Sequence, residues 1–225
     1  MKTTKRFEYK YLISYVDYFK IIDAVKMMLI HDKHGEEDQY PVNSIYLDDI
    51  QFTGAADKAF GNQFHKKYRV RFYHNQEQKK LELKEKTGDE SIKHACDITN
   101  EMYNSIINQD LDVLEKNFED PLIRRFTLDM LRHNLEPKCN IKYFREAYRD
   151  ETDNFRLTFD HSVSVERFSS DFSNEYLKLI KDSTLILEIK YEHFVPKYMK
   201  SIIKGITLNQ IAYSKYFMGF NAIEL

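Results

Sequence analysis

Five short stretches of this chain alternate charged with bulky residues: Arg6, Glu8 and Lys10; Lys67, Arg69 and Arg71; Glu82, Lys84 and Lys86; Arg156 through Asp160; and Glu188 with Lys190. In an extended strand, residues i, i+2 and i+4 share one face. Each stretch therefore predicts a strand with a cationic face that carries a few carboxylates. Like charges gathered on one sheet face repel, so such a face needs a counter-charge. Arginine is prominent, with Arg69, Arg71, Arg145 and Arg156 all at strand positions. Its planar fork matches phosphate oxygens in pairs, whereas lysine adds a point charge. Together the two types point to a polyanion, and a chain of phosphates fits both. A single strand of this kind is as readily the solvated face of a half-buried antiparallel sheet. Five in concert, rich in arginine, argue against that.

These residues need elements to hold them. Period-two patterning predicts strands near residues 4–12, 41–49, 66–73, 79–86, 91–98, 138–149, 155–166 and 184–192, with residues 74–78 as a hairpin loop. Residues 15–31 read as a helix capped by Ser14, with Phe19, Ile22, Val25, Met28 and Leu29 on one side. Residues 31–39 read as a polar loop, and an Ala-rich turn or short helix is expected over 52–60. The longest helical stretch is 99–134, capped by Thr99 and carrying Met102, Ile106 and Ile107. Pro121 opens its second helix, with Leu122, Ile123, Phe126, Met130 and Leu131 on the apolar side. Helical segments from Pro196, with Met199, Ile202 and Ile203, and around 213–220 complete the chain. Strands in clusters with helices between them predict an α+β fold, mainly antiparallel, with peripheral helices. Opposite the charges lie Phe7, Tyr9 and Tyr11; Tyr68, Val70 and Phe72; Leu81 and Leu83; and Leu187, Ile189 and Tyr191. These faces are expected to be buried under the helices. A sheet closed on itself with the charges inside would be a tunnel without exposed edges.

Composition narrows the class. The 225 residues are 42% hydrophobic with 16 Phe and 16 Tyr, enough for one substantial core, and a single domain over 1–225 is expected. Lys and Arg total 34 against 36 Asp and Glu, a formal charge of -2. A general nucleic-acid binder shows a basic excess, so a confined anion site is favoured over a nucleic-acid surface. Cys96 and Cys139 stand far apart and imply no disulfide framework. No apolar run approaches the ~20 residues of a membrane span, and no apolar leader follows Met1. A cytoplasmic protein is expected. The eight His are scattered without metal spacing. Asp48 and Asp49 read as a turn or helix cap, and Ser214 has no His and Asp partners for a catalytic triad.

Eight segments in order carry a family resemblance: R-F-E-Y-K-Y (6–11), S-I-Y-L-D-D (44–49), Y-R-V-R-F-Y (68–73), L-E-L-K-E-K (81–86), Y-F-R-E-A-Y (143–148), R-L-T-F-D (156–160), L-E-I-K-Y (187–191) and S-K-Y (214–216). From about residue 5 to 220 the chain resembles the VTC domain, the polyphosphate polymerase module of the CYTH, or triphosphate tunnel metalloenzyme, superfamily. The resemblance implies a closed antiparallel eight-stranded β-barrel that binds triphosphate and a divalent metal, Mn or Mg. It implies ATP and polyphosphate as partners, with a membrane partner compatible although the chain has no membrane segment. Carried over by residue, Arg69, Arg71, Lys84, Arg145 and Arg156 would be the catalytic cations. Lys10, Lys93, Tyr143, Lys190, Ser214 and Lys215 would bind phosphate, and Glu188, with Glu8, would bind metal. Two positions depart from the pattern. Arg6 stands where the superfamily has a first Glu, which suits the polymerase branch better than the hydrolytic ones. Ala212 stands where eukaryotic members carry another Lys, which bears on the contacts at one tunnel mouth. The implied activity is transfer of the ATP γ-phosphate to polyphosphate. The rivals are a triphosphatase, disfavoured because the tunnel is expected to be poor in spare carboxylates, and a non-catalytic polyphosphate or inositol-phosphate binding module.

Overall fold

In a computed structural model of the chain, residues 2–32, 38–56, 64–73, 78–87, 90–152, 154–168, 175–211 and 214–224 are described. Residues 74–77 of the expected hairpin loop, residues 57–60 and Ala212 lie outside them, as do residues 33–37 of the expected polar loop. The elements run β1 (Lys2–Ser14), α1 (Tyr15–Met28), β2 (Ile30–His31), β3 (Tyr40–Asp48), α2 (Thr53–Ala56), β4 (Phe64–Tyr73), β5 (Lys79–Thr87), β6 (Glu90–Ile98), α3 (Asn100–Asn108), α4 (Asp112–Glu115), α5 (Pro121–His133), β7 (Glu136–Arg149), β8 (Phe155–Arg167), β9 (Leu177–Lys178), β10 (Thr184–Tyr191), α6 (Lys197–Ile203), β11 (Asn209–Gln210) and α7 (Lys215–Glu224).

Strands β7, β3, β4, β5, β6, β1, β10 and β8 pair in that order, all antiparallel, and β8 pairs back onto β7. The ring is a closed eight-stranded barrel. β2, β9 and β11 are two-residue additions that lie beside β7, β8 and β1. Alternation then places every second side chain in the bore.

The outer faces carry the core. Tyr68, Val70, Leu81 and Leu83 from β4 and β5 are buried under Met102, Ile106, Phe126 and Met130 of α3 and α5. Leu157, Phe159, Leu187 and Ile189 meet Ile21, Ile22 and Val25 of α1 and Met199 of α6. A third group, including Ile141, Val165 and Tyr216, seats α7 against β7 and β8. Ser14 caps α1 by accepting the Asp17 amide at 3.1 Å, and Thr99 caps α3 by accepting the Met102 amide at 3.2 Å. Asp120 accepts the Leu122 amide at 2.7 Å ahead of Pro121.

Several side chains expected inside are outside. Phe7 is 43% exposed and Tyr9 41%. Among the described residues these rings pack on Tyr191, Phe7 stacked at 5.4 Å and Tyr9 tilted at 5.8 Å between centroids. On α1, Phe19 and Met28 face outward, whereas Ile21, Ile22, Val25 and Leu29 are buried. Leu131 of α5 is likewise exposed. The long helical stretch is three helices: Gln109 adopts a left-handed conformation (φ 58°) at the end of α3, and α5 starts afresh at Pro121 behind the Asp120 cap.

Candidate functional site

The bore is built from the charged parity of seven strands. Register makes neighbours of residues that sequence spacing cannot relate: Tyr46 lies opposite Arg69, Ser44 opposite Arg71, Arg69 opposite Glu82 and Lys84 opposite Lys93. On the other wall Lys10 faces Glu188, Glu8 faces Lys190, Lys190 faces Arg156, and Arg145 faces Asp160. The start of α7 adds Lys215, which reaches Asp160 and Glu188.

These groups form two linked networks. In the first, Arg69 grips Glu82 through Nε at 2.7 Å and Nη2 at 2.6 Å, and donates Nη1 to the Tyr46 hydroxyl at 3.0 Å. Lys93 reaches the same carboxylate at 3.0 Å, and Arg71 approaches it at 3.9 Å. Arg71 also donates to the Tyr143 hydroxyl at 3.0 Å and to Ser44 Oγ at 3.3 Å. In the second, Arg145 forks onto Asp160 at 2.6 and 2.7 Å and touches Glu188 at 3.3 Å. Lys215 Nζ bridges Asp160 at 2.6 Å and Glu188 at 2.8 Å. The Tyr143 ring presents its face to Arg145 and Lys215, at 5.2 and 4.9 Å. Lys190 Nζ lies 2.8 Å from Glu188 and 3.8 Å from Glu8, and Glu8 also holds Lys10 at 3.2 Å and Lys84 at closer range.

All the sequence-derived site residues lie in or at the ends of this bore. Arg156 is nearer the rim, where it pairs with Asp32 beyond β2. Ser214 immediately precedes α7; its hydroxyl accepts from the Phe217 amide and from Lys67 Nζ, each at 3.1 Å. Two carboxylates were not assigned from the sequence. Glu82 and Asp160 are buried at 3% and 0% exposure, and neither is spare, since each is paired with two cations. Both share strand parity with assigned cations, Glu82 with Lys84 and Asp160 with Arg156. That parity was the available signal.

Burial in a low-dielectric wall favours neutral carboxyls, yet neighbouring cations outweigh it. Lys10, Lys84 and Lys190 hold Glu8 well below its ordinary range. Arg69, Arg71 and Lys93 do the same for Glu82, and Lys190, Lys215 and Arg145 for Glu188. Arg145 and Lys215 lower Asp160. Lys190 goes the other way: burial pulls its ammonium down to about 8, offset only in part by Glu188 and Glu8. The cations outnumber the carboxylates, so the bore is positive inside a chain whose formal charge is -2. Among the described residues no group of three or more His, Cys, Asp or Glu side chains gathers as a metal site. Glu8 and Glu188 nevertheless share one cation, the Lys190 ammonium. Magnesium commonly takes one or two carboxylates and completes its shell with substrate phosphates, so this pair fits a divalent ion that arrives with phosphate.

The family described as VTC domain matches residues 5–223, and the chain belongs to it. Among solved structures it is similar to the putative adenylyl cyclase HpAC1 of Hippeastrum, described as having a dominant triphosphatase activity (15% identity over 96% of each chain, TM-score 0.59). It is also similar to a putative adenylate cyclase from Bacillus halodurans (13% identity, 95% of this chain and 96% of that one, TM-score 0.56). A Pyrococcus horikoshii protein matches at 14% identity over 96% of this chain and 97% of its own, with a TM-score of 0.51. No curated protein matches. No helix among the described residues is long and apolar enough to cross a membrane.

Proposed function

We propose that this VTC-domain protein transfers the γ-phosphate of ATP to the end of a polyphosphate chain held in its bore, with release of ADP. The observation that carries this reading is the enclosed, net-positive bore whose four carboxylates are each held by at least two cations. Its surplus of cations over carboxylates suits a polyanion. Phosphoryl transfer asks the protein mainly for alignment and charge cancellation. Arg69 and Arg71 on one wall, and Arg145 with Lys215 on the other, supply fixed donors around the transferred group. A terminal phosphate oxygen of the acceptor forms the new bond to the γ-phosphorus. The bond from that phosphorus to the β–γ bridging oxygen breaks, and the electron pair leaves with ADP. Holding two polyanions end to end is the costly step, and the cations on both walls offset their repulsion.

Glu8 and Glu188 would hold a divalent Mn or Mg ion beside the phosphates. When bound, that ion neutralises phosphoryl-oxygen charge.

Hydrolysis is the second reading, favoured by the triphosphatase description of the Hippeastrum neighbour and by the two additional carboxylates. Water needs a base, and cations that depress a carboxylate's pKa also weaken it as a base. Glu82 and Glu188 are both of that kind. A phosphate terminus is already anionic and needs none. The test is incubation with γ-labelled ATP, Mn²⁺ or Mg²⁺ and a tripolyphosphate primer. Label in lengthening chains with matched ADP supports transfer, whereas label only in orthophosphate supports hydrolysis.

A further inference from the structure

The helix that delivers Lys215 is also tied to the barrel by a residue at the end of β3. α7 joins the barrel through side chains, and Asp48, at the end of β3, is the focus. Its Oδ1 accepts the amides of Asp49 at 3.0 Å and Gly54 at 2.9 Å. Its Oδ2 accepts the Ala55 amide at 2.9 Å and the Tyr216 hydroxyl at 2.8 Å. Gly54 leaves the room for this: a Cβ there would sit 3.1 and 3.2 Å from the carboxylate oxygens and 3.0 Å from the Lys66 carbonyl. The Tyr216 ring lies flat on Tyr46, with centroids 4.5 Å apart and planes within 1°, and the Tyr46 hydroxyl accepts from Arg69. Lower on α7, Gly219 packs so closely that a Cβ would meet Ile141 and Val165 at 3.1 Å. Tyr216 follows Lys215 directly in the chain, so whatever fixes one fixes the other.

We propose that Asp48, acting through Tyr216, is the positioning residue that sets where Lys215 enters the bore. It thereby tunes how the protein grips the inner end of a triphosphate. This rests on the phosphate-binding reading of the bore. Asp48 touches no bore cation among its described bonds; its effect passes through the Tyr216 hydroxyl. A carboxylate suits the position because all four donors point at it. An Asn would set its NH₂ against at least one backbone N–H.

The test is a double-mutant cycle on tripolyphosphate affinity, measured calorimetrically on the full chain, with Tyr216→Phe and Lys215→Ala singly and together. Tyr216→Phe keeps the ring stack and removes only the link to Asp48. It should weaken tripolyphosphate binding by about tenfold, within the span known for coupling through packed networks. In the Lys215→Ala background the same change should have no further effect, because its route to the ligand is gone. A merely structural role would give equal losses in both backgrounds, and that additivity overturns the proposal. So does wild-type affinity in Tyr216→Phe. If Tyr216→Phe does not fold, Asp48→Asn carries the same cycle. Wild-type protein that binds no tripolyphosphate overturns the reading of the bore itself. A Lys215→Ala protein with wild-type affinity overturns only the role given to Lys215, and with it the role of Asp48.

Discussion

Glu82→Gln should lower the stability of the free protein while tightening its hold on phosphate. Glu82 is 3% exposed and carries Arg69 at 2.6 Å, Lys93 at 3.0 Å and Arg71 at 3.9 Å. At such separations each pair is worth about 4 kcal/mol of gross attraction at an effective dielectric near 20. Much of that offsets the burial of Glu82. Removing one partner of a buried network typically costs about 3–5 kcal/mol, because the charges left behind are uncompensated. For a domain of this size that lowers the melting temperature by roughly 10 °C. The same three cations are then free for a phosphate. Tripolyphosphate should bind about tenfold more tightly, a gain of about 1.4 kcal/mol, and ligand should restore much of the lost stability. Turnover should fall, since Arg69 loses the partner that aims its guanidinium. Thermal melts with and without tripolyphosphate, with calorimetric titration, read all three. A Glu82→Gln protein as stable as wild type, or one that binds tripolyphosphate more weakly, refutes the view of Glu82 as a resident counter-anion.

Arg69→Ala and Arg71→Ala should each cut ATP turnover by at least about 100-fold while leaving the circular dichroism of the fold unchanged; normal turnover in either removes the site from the bore. Chelation of divalent ions should abolish turnover and added Mn²⁺ or Mg²⁺ restore it, with Glu188→Gln needing more metal for half-maximal rate; full turnover in chelator contradicts the role given to Glu8 and Glu188. Asp129 on α5 ties the helix to β4, accepting from Lys66 at 2.7 Å and Tyr68 at 2.8 Å. Burial raises its pKa, but those bonds prevail and the net shift is downward. A lowered carboxyl pKa stabilises the fold above the ordinary value of about 3.9 and loses that contribution as pH falls through the folded value. Wild type should therefore melt higher than Asp129→Asn at pH 7, with the gap closing below about pH 4; a gap that does not depend on pH refutes the assignment.

The barrel was legible because its bore is written in period two. Lys10, Arg69, Lys84 and Lys190 each sit two residues from another charge, Arg156 sits four from Asp160 on the same strand face, and helical spacing around Phe126 and Ile106 marked the cover. Closure was not written locally. It depends on β7 meeting β8, and on register that puts Arg145 beside Asp160 and Arg69 beside Glu82. Without that register an acid among cations looks like any solvated residue, which is why Glu82 and Asp160 gained roles only in the fold. The link from Asp48 to Tyr216 spans 168 residues, beyond any local pattern. Phe7 and Tyr9 show the opposite failure. Parity set their face correctly, but whether a helix covers that face depends on where α1 and α6 lie. Aromatic rings can also satisfy one another, as these do with Tyr191.

The most direct test of a phosphate-binding bore is a crystal structure with tripolyphosphate and Mn²⁺. The phosphates should lie inside the barrel within hydrogen-bond distance of Arg69, Arg71, Arg145 and Lys215, with the ion against Glu188. Tripolyphosphate on the outer surface, beside an unchanged lattice of internal ion pairs, would contradict it.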